Sequence, residues 1–126
     1  MFTSGTGNEI LNLYYSDSLD SGWEPHPLNS IIENNAHFAC PARKVIEFKD
    51  LIYRIAQDDY PNYGIQVYAI EISELFRTTY MEKIDTTRVI VTKTCKGWNS
   101  EGMHHVGRIK EGDAWLAAIE GVKRRK

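Results

Sequence analysis

The sequence predicts an all-β fold, and three observations support that prediction. From residue 36 to residue 122, aliphatic and aromatic residues alternate with polar ones at the two-residue period of a β-strand, as in YRIAQD (53–58). Residues that favour turns separate these runs at short intervals. No segment carries the i, i+3, i+4, i+7 apolar stripe of a helix over three turns. We therefore expect short antiparallel strands throughout.

Composition limits the classes of function. The chain has 126 residues, of which 42% are hydrophobic and 25% are charged, and this is typical of one globular domain. A formal net charge of −2 creates no field that would gather nucleic acid, so we expect no nucleic-acid partner. Cys40 and Cys95 lie far apart and outside any CxxC pair, so no zinc knuckle is indicated. The spacing allows a disulfide but does not require one, and a reducing compartment is favoured.

The N-terminal residues show neither the basic start nor the apolar run of a signal peptide, and no segment is long and apolar enough to span a membrane. These features favour a cytoplasmic location. Residues 1–8 are small and polar, and we expect them to be flexible. Lys123, Arg124, Arg125 and Lys126 form a basic tail, which is most simply a solvated end of the chain.

The predicted strands between these ends form one complete unit and two partial ones. The segment EILNLYYSDSL (9–19) reads as a strand, and the loop that follows contains Trp23. Four strands then form an antiparallel meander, with residues 74–79 as either a helical turn or a loop. The expected strands of this meander are 41–48, 51–58, 64–73 and 80–93. A final hairpin pairs 103–109 with 114–122 across a turn at 110–113.

Repeating four-stranded meanders of this length are typical of propeller blades, which have roughly 40–45 residues in the best-known repeats. The chain is thus predicted to contain about two and a half blades. A closed propeller needs about four to eight, so we expect either a piece of a larger propeller or an open array that needs a partner. The alternative is a self-contained antiparallel sandwich of about seven strands.

Three segments resemble known propeller proteins. YYSDSLDSGWEPHPLNSII (14–32) resembles the connection between blades in five-bladed propellers of the glycoside-hydrolase type. ACPARKVIEFKDLIYRIAQDDYPNYGIQVYAIEISEL (39–75) and GWNSEGMHHV (97–106) resemble the N-terminal propeller domain of the glucosamine inositolphosphorylceramide transferases. The resemblance covers residues 11–121 and implies the later blades of a five-bladed β-propeller with a central pocket.

The family's Arg-Pro-Ala-Gln-Asp run is matched by residues 54–58, with Ile55 in place of the proline. Its Tyr-Gly pair is matched by Tyr63 and Gly64, and its late Gly-x-His segment by 102–104. Its Ala-Arg-Pro-Ala-Gly motif is matched by 39–43, where Cys40 replaces the arginine and Arg43 the glycine. The earlier blades, which carry the catalytic aspartate of the hydrolase propellers, have no match here.

These matches predict a sugar site on the inner strands of the propeller. Sugar hydroxyls need donors and acceptors together, and one strand supplies both. The predicted ligand-binding residues are Arg54, Gln57, Asp58, Tyr63 and His104. The structural alternative is that Arg54 and Asp58, which share a strand face by alternation, form an ion pair at the strand end.

We expect no cofactor and no metal site. His104 and His105 are neighbours on a predicted strand and should point to opposite faces, where they would not bind one ion. Glycosidases need two carboxylates at a set separation of roughly 5–9.5 Å, and the sequence does not fix such a pair. The catalytic residues, if there are any, are therefore unknown.

The prediction for function is a glycan-recognising propeller fragment that is not catalytic by itself, with a carbohydrate or glycoconjugate as its partner. One alternative is a glycoside hydrolase or a glycosyltransferase-associated domain that becomes active once a completing polypeptide supplies the missing blades. Another is a structural module that self-associates through open sheet edges.

Overall fold

The computed structural model of the chain describes residues 1–123. No α-helix occurs among them, and one short 3-10 helix spans Thr6–Asn8. The predicted all-β fold is confirmed. The strands are β1 Phe2–Ser4, β2 Leu11–Tyr15, β3 Glu24–Pro25, β4 Cys40–Pro41, β5 Ile46–Phe48, β6 Leu51–Asp58, β7 Gln66–Leu75, β8 Tyr80–Lys83, β9 Val89–Thr92, β10 Gly102–Glu111 and β11 Ala114–Val122.

The largest sheet is the predicted meander. The long strands β6 and β7 pair antiparallel in its centre, with Arg54 opposite Ile70 and Asp58 opposite Gln66. Both short strands β4 and β5 pair with β6, and both β8 and β9 pair with β7. The order of the four predicted strands is thus confirmed, but each outer strand is broken in two.

The break between β8 and β9 has a local cause in the side chain of Asp85. Its Oδ1 accepts a hydrogen bond from the Thr87 backbone N–H at 3.0 Å and one from the Thr87 hydroxyl at 2.6 Å. The Arg88 N–H bonds the Asp85 carbonyl at 3.0 Å. This side-chain turn competes with the sheet ladder and ends β8 before β9 begins.

The two-residue turn between β5 and β6 uses no glycine. Lys49 and Asp50 both have positive φ, 50° and 61°. A hairpin loop of two residues favours the turn in which both residues are left-handed, because its twist matches that of the strands. Because Phe48 pairs with Leu51, Lys49 and Asp50 both adopt the left-handed backbone conformation. This conformation is unfavourable for residues other than glycine.

A three-stranded sheet of β1, β2 and β3 precedes the meander. Phe2 of β1 lies opposite Leu13 of β2, so residues 2–4 have regular structure within the segment that we expected to be flexible. The expected flexibility of residues 1–8 stays a prediction. Leu13 packs with Ile72 and Tyr80 of the central sheet and so joins the two sheets.

The predicted final hairpin is β10 paired with β11. Its turn is shorter than the expected 110–113, because Glu111 pairs with Ala114 and leaves Gly112 and Asp113 between them. Val106 is the point of contact with the central sheet, where it packs beside Ile55 and Val67. The basic tail falls mostly on residues 124–126, which lie outside the described part of the chain.

The three antiparallel sheets do not close into a barrel within residues 1–123. Separate sheets joined by small apolar clusters agree with the predicted partial propeller. The described residues also contain no helix that is long and apolar enough to cross a membrane.

Candidate ligand-binding site at the end of β6

The five predicted site residues fall into two groups. Arg54, Gln57 and Asp58 lie on β6 with at most 2% of their surface exposed. Tyr63 lies in the loop after β6 and His104 on β10, and their rings meet at a centroid distance of 5.3 Å. The structure therefore buries the first group, and it packs the exposed Tyr63 ring on the buried His104 ring in the second.

Arg54 is held by protein partners on all three of its nitrogens. Its Nε and Nη2 donate to the two oxygens of Glu82 at 3.0 and 2.8 Å, and its Nη1 donates to the Phe38 carbonyl at 2.7 Å. The Tyr80 hydroxyl donates to the same Glu82 carboxylate. The alternative of an Arg54–Asp58 ion pair is therefore wrong, because β8 supplies a carboxylate that the planar guanidinium grips at two points.

Asp58 accepts hydrogen bonds on both oxygens. Its Oδ1 lies 2.9 Å from His37 Nδ1 and accepts the Tyr60 backbone N–H at 3.1 Å. Its Oδ2 accepts the Gln66 amide at 3.0 Å and lies 3.4 Å from the Tyr68 hydroxyl. Burial and this neighbouring carboxylate raise the pKa of Tyr68, which keeps its hydroxyl a donor. Because both of its oxygens are hydrogen-bonded, Asp58 holds the loop after β6 against the sheet.

Gln57, on the opposite face of β6, works with the partly buried Asp59 in a second network. Asp59 Oδ1 accepts the Gln57 amide at 2.5 Å and the Gly64 backbone N–H at 2.9 Å, and its Oδ2 accepts the Asn8 amide at 2.9 Å. Cys40 lies directly opposite Gln57. Burial first, and then the Asp59 carboxylate, raise the pKa of the Cys40 thiol to about 12, so this cysteine is not a nucleophile.

The loop of residues 59–63 follows these buried side chains of β6 and carries two exposed tyrosine rings. Tyr60 is 60% and Tyr63 57% exposed. The Tyr60 ring lies 5.1 Å from the half-exposed ring of His37, and Tyr63 lies against His104. Sequence reasoning missed His37, Asp59 and Tyr60, although the run Asp-Asp-Tyr-Pro-Asn-Tyr (58–63) placed two aromatic residues and two acids in one turn.

His104 and His105 do not point to opposite faces. A β-bulge lies between Met103 and His105, so that Met103 pairs with Gly121 and His105 with Glu120. The bulge interrupts the alternation of side chains, and the two Nδ1 atoms come within 3.0 Å. The expectation of opposite faces was wrong because it assumed a regular strand.

Two cavities lie elsewhere in the molecule, and none of the five predicted residues lines either. One, of about 440 Å³, lies between the central sheet and the β10–β11 hairpin and has an apolar floor with Arg43, Arg88 and Arg108 at its edge. The other, of about 1110 Å³, lies between the first sheet and the central sheet. Because both follow the contacts between sheets, they are gaps between structural units, whereas the exposed tyrosines form an open surface.

Comparison with known proteins identifies relatives of the chain. The sequence model of the family described as "Glucosamine inositolphosphorylceramide transferase 1, N-terminal" matches residues 2–122. A protein of Arabidopsis thaliana, glucosamine inositolphosphorylceramide transferase 1, is 25% identical over 118 residues, which cover 90% of this chain and 15% of that relative. No solved structure shows a significant match.

The chain thus spans about 15% of the length of that relative. The family match also covers β6, the loop after it and the bulge at His104. By this match over nearly its whole length, the chain belongs to the glucosamine inositolphosphorylceramide transferase 1 N-terminal family.

Proposed function

We propose that this chain is a non-catalytic carbohydrate-recognition domain, built as part of a β-propeller, that binds its ligand on the loop after β6. The family is named for a glucosamine inositolphosphorylceramide transferase, and glucosamine is a sugar. The observation that carries the proposal is the pair of exposed rings, Tyr60 and Tyr63, on one loop that buried carboxylates hold in place.

Exposed aromatic rings with polar neighbours suit a sugar. The apolar face of a pyranose packs on an aromatic ring, and the ring keeps its position with little loss of conformational entropy. Tyr60 and Tyr63 supply the exposed rings in this proposal, and the buried His104 supports the Tyr63 ring as its polar neighbour. Arg54, Gln57 and Asp58 act from below, since their bonds fix β6 and its loop before any ligand arrives.

The state of the carboxylates favours binding without catalysis. A glycosidase needs one carboxyl group to give a proton and another to attack the sugar or activate water. Asp58 and Asp59 are engaged on both oxygens, and Glu71 accepts Lys83 at 3.1 Å and Arg88 at 2.8 Å. Positive partners lower the pKa of Glu71, led by Arg88, which leaves it a charged acceptor and a poor general acid.

The test is a binding assay with glucosamine and a panel of neutral oligosaccharides. For any sugar that binds, Tyr63→Ala should weaken the affinity roughly fivefold, since one aromatic contact contributes about 1 kcal/mol, while Tyr60→Phe should retain it. Trp115→Ala is the matched control, because Trp115 is also an exposed aromatic residue but lies on β11. Loss of binding in Trp115→Ala and not in Tyr63→Ala would place the ligand elsewhere, and hydrolysis of a chromogenic glycoside would refute the non-catalytic proposal.

A second candidate function is self-association through β11. Eight of the nine residues of this strand are exposed, and they include Trp115, Leu116 and Ile119. A long apolar strand with a free edge is a template for pairing with another strand. If this is its role, the apparent mass in solution should rise with concentration, and Leu116→Lys should keep the chain monomeric.

A further inference from the structure

A second cluster of polar side chains lies on the β10–β11 hairpin and shares His104 with the candidate sugar site. His104 Nδ1 is 3.0 Å from His105 Nδ1 and 3.9 Å from a carboxylate oxygen of Glu120. One ligand atom from each of the three residues lies within 4.8 Å of the others. We propose that His104, His105 and Glu120 bind one divalent transition-metal ion of the Zn²⁺ type.

The fold, and not sequence spacing, creates this juxtaposition. The β-bulge at His104 turns both imidazoles to one side of the strand. Glu120 is the direct antiparallel partner of His105, and such partners have Cβ atoms about 4.5–5.5 Å apart. Two neighbouring histidines and one cross-strand carboxylate thus meet at a single point on the hairpin.

The donor set and distances suit zinc. Imidazole nitrogen and carboxylate oxygen both bind Zn²⁺ at about 2.0–2.2 Å, which in a tetrahedron separates neighbouring ligand atoms by about 3.3 Å. The two imidazole nitrogens already lie near this separation. Glu120 Oε2, which lies 3.9 Å from His104 Nδ1, must move toward the two imidazoles, and its side chain, which is 66% exposed, has room to do so. Three protein ligands would leave one position open to water.

The surroundings of His104 hold its ring in place. A Cβ on Gly64 would come within 2.5 Å of His104 Cβ, so the glycine leaves the space that this side chain fills. The Tyr63 ring packs on the other side at 5.3 Å. His105 lines the larger cavity, through which an ion would reach the site from solvent. A site with one fixed ligand and an entry path needs little rearrangement to bind metal.

The competing explanation is a simple hydrogen bond between the two histidines. One Nδ1 carries a hydrogen and donates it in the bond, and the other Nδ1 is the acceptor. It accounts for the short nitrogen separation but assigns no role to Glu120. Only the metal proposal predicts that the Glu120 carboxylate contributes to the affinity for added metal. The metal site shares His104 with the proposed sugar site, but metal binding can be tested without any sugar.

The experiment is a titration of the full chain with Zn²⁺, followed by calorimetry, and with Co²⁺, followed by visible absorption. All variants carry Cys95→Ser, since this exposed thiol would otherwise compete for the metal. The expected result is one ion per chain, with tetrahedral Co²⁺ absorption that Zn²⁺ displaces.

His105→Gln and Glu120→Gln should each lower the affinity at least about tenfold, and Glu111→Gln, which removes an exposed carboxylate at the turn of the same hairpin, should change it less than twofold. Circular dichroism confirms that each variant is folded. Absence of saturable one-to-one binding in the parent chain would overturn the proposal. So would an affinity that Glu120→Gln leaves unchanged, or one that falls only in Glu111→Gln.

Discussion

The central sheet and the β10–β11 hairpin are built from strands of similar length but bury them very differently. The last five residues of β6 are all buried, whichever face they occupy. On β11, eight of nine residues are exposed. The central sheet encloses polar groups and saturates them with hydrogen bonds, whereas β11 leaves its apolar side chains in water. Stability should therefore concentrate in the first region and interaction surface in the second.

The largest expected difference concerns the two cysteines. Cys40 lies on β4 in the central sheet, and Cys95 is exposed before the hairpin. With the pKa of Cys40 raised to about 12, roughly one thiol in 10⁴ would be ionised at pH 8. A disulfide reagent should therefore modify one thiol rapidly in the native protein and both after unfolding. Rapid modification of both native thiols would contradict the buried state of β4.

The next prediction compares two arginines in ion pairs. Arg54→Ala leaves Glu82 without its buried partner and should lower the free energy of unfolding by about 3–5 kcal/mol. Arg77→Ala removes an exposed pair with Asp17 and should change it by less than about 1 kcal/mol. Urea denaturation measures both, and equal effects would show that the Arg54 network does not hold the sheet.

Truncating one isoleucine in each region tests the difference in burial directly. Ile55 is buried with Val67 in the central sheet, and Ile109 is 61% exposed on β10. Ile55→Ala should cost about 2–4 kcal/mol of stability, since it leaves a cavity, and Ile109→Ala less than about 1 kcal/mol. A large cost for Ile109→Ala in chemical denaturation would mean that the hairpin is covered in solution, as self-association requires.

The smallest predicted effects concern the two hairpin turns. Asp50→Gly should stabilise the chain by about 0.5–1 kcal/mol, because it relieves a non-glycine residue at φ 61°. Gly112→Ala, at φ 60°, should destabilise it by a similar amount. Thermal melts of the two variants give opposite signs if both turns are as described, and a loss of stability in Asp50→Gly would contradict the left-handed turn.

Sequence alone predicted the parts of this structure that depend on local pattern. The alternation in β6 and β7 and the short turn at Lys49–Asp50 were enough to place the meander, because side-chain period and turn length are local properties. The break after β8 was missed, since the Asp85 turn competes with a run that also reads as a strand.

The contacts of the candidate site were harder to predict, because they depend on pairing between strands that are distant in the sequence. Glu82 reaches Arg54 only because β8 pairs with β7 in a particular register, and no spacing in the sequence indicates that partner. The bulge that brings His104 beside His105 breaks the alternation from which their directions were predicted. The family resemblance indicated β6 and Tyr63, but not which side chains would be buried.

The sugar site is tested most directly by a two-dimensional ¹H–¹⁵N NMR titration of the chain with the tightest-binding sugar of the panel. If the sugar binds on the loop after β6, the largest shift changes should cluster on residues 59–64, His37 and His104, and the amide signals of β11 should not move. Shift changes confined to the cavity edged by Arg43, Arg88 and Arg108, or the absence of saturable changes with every sugar of the panel, would contradict it.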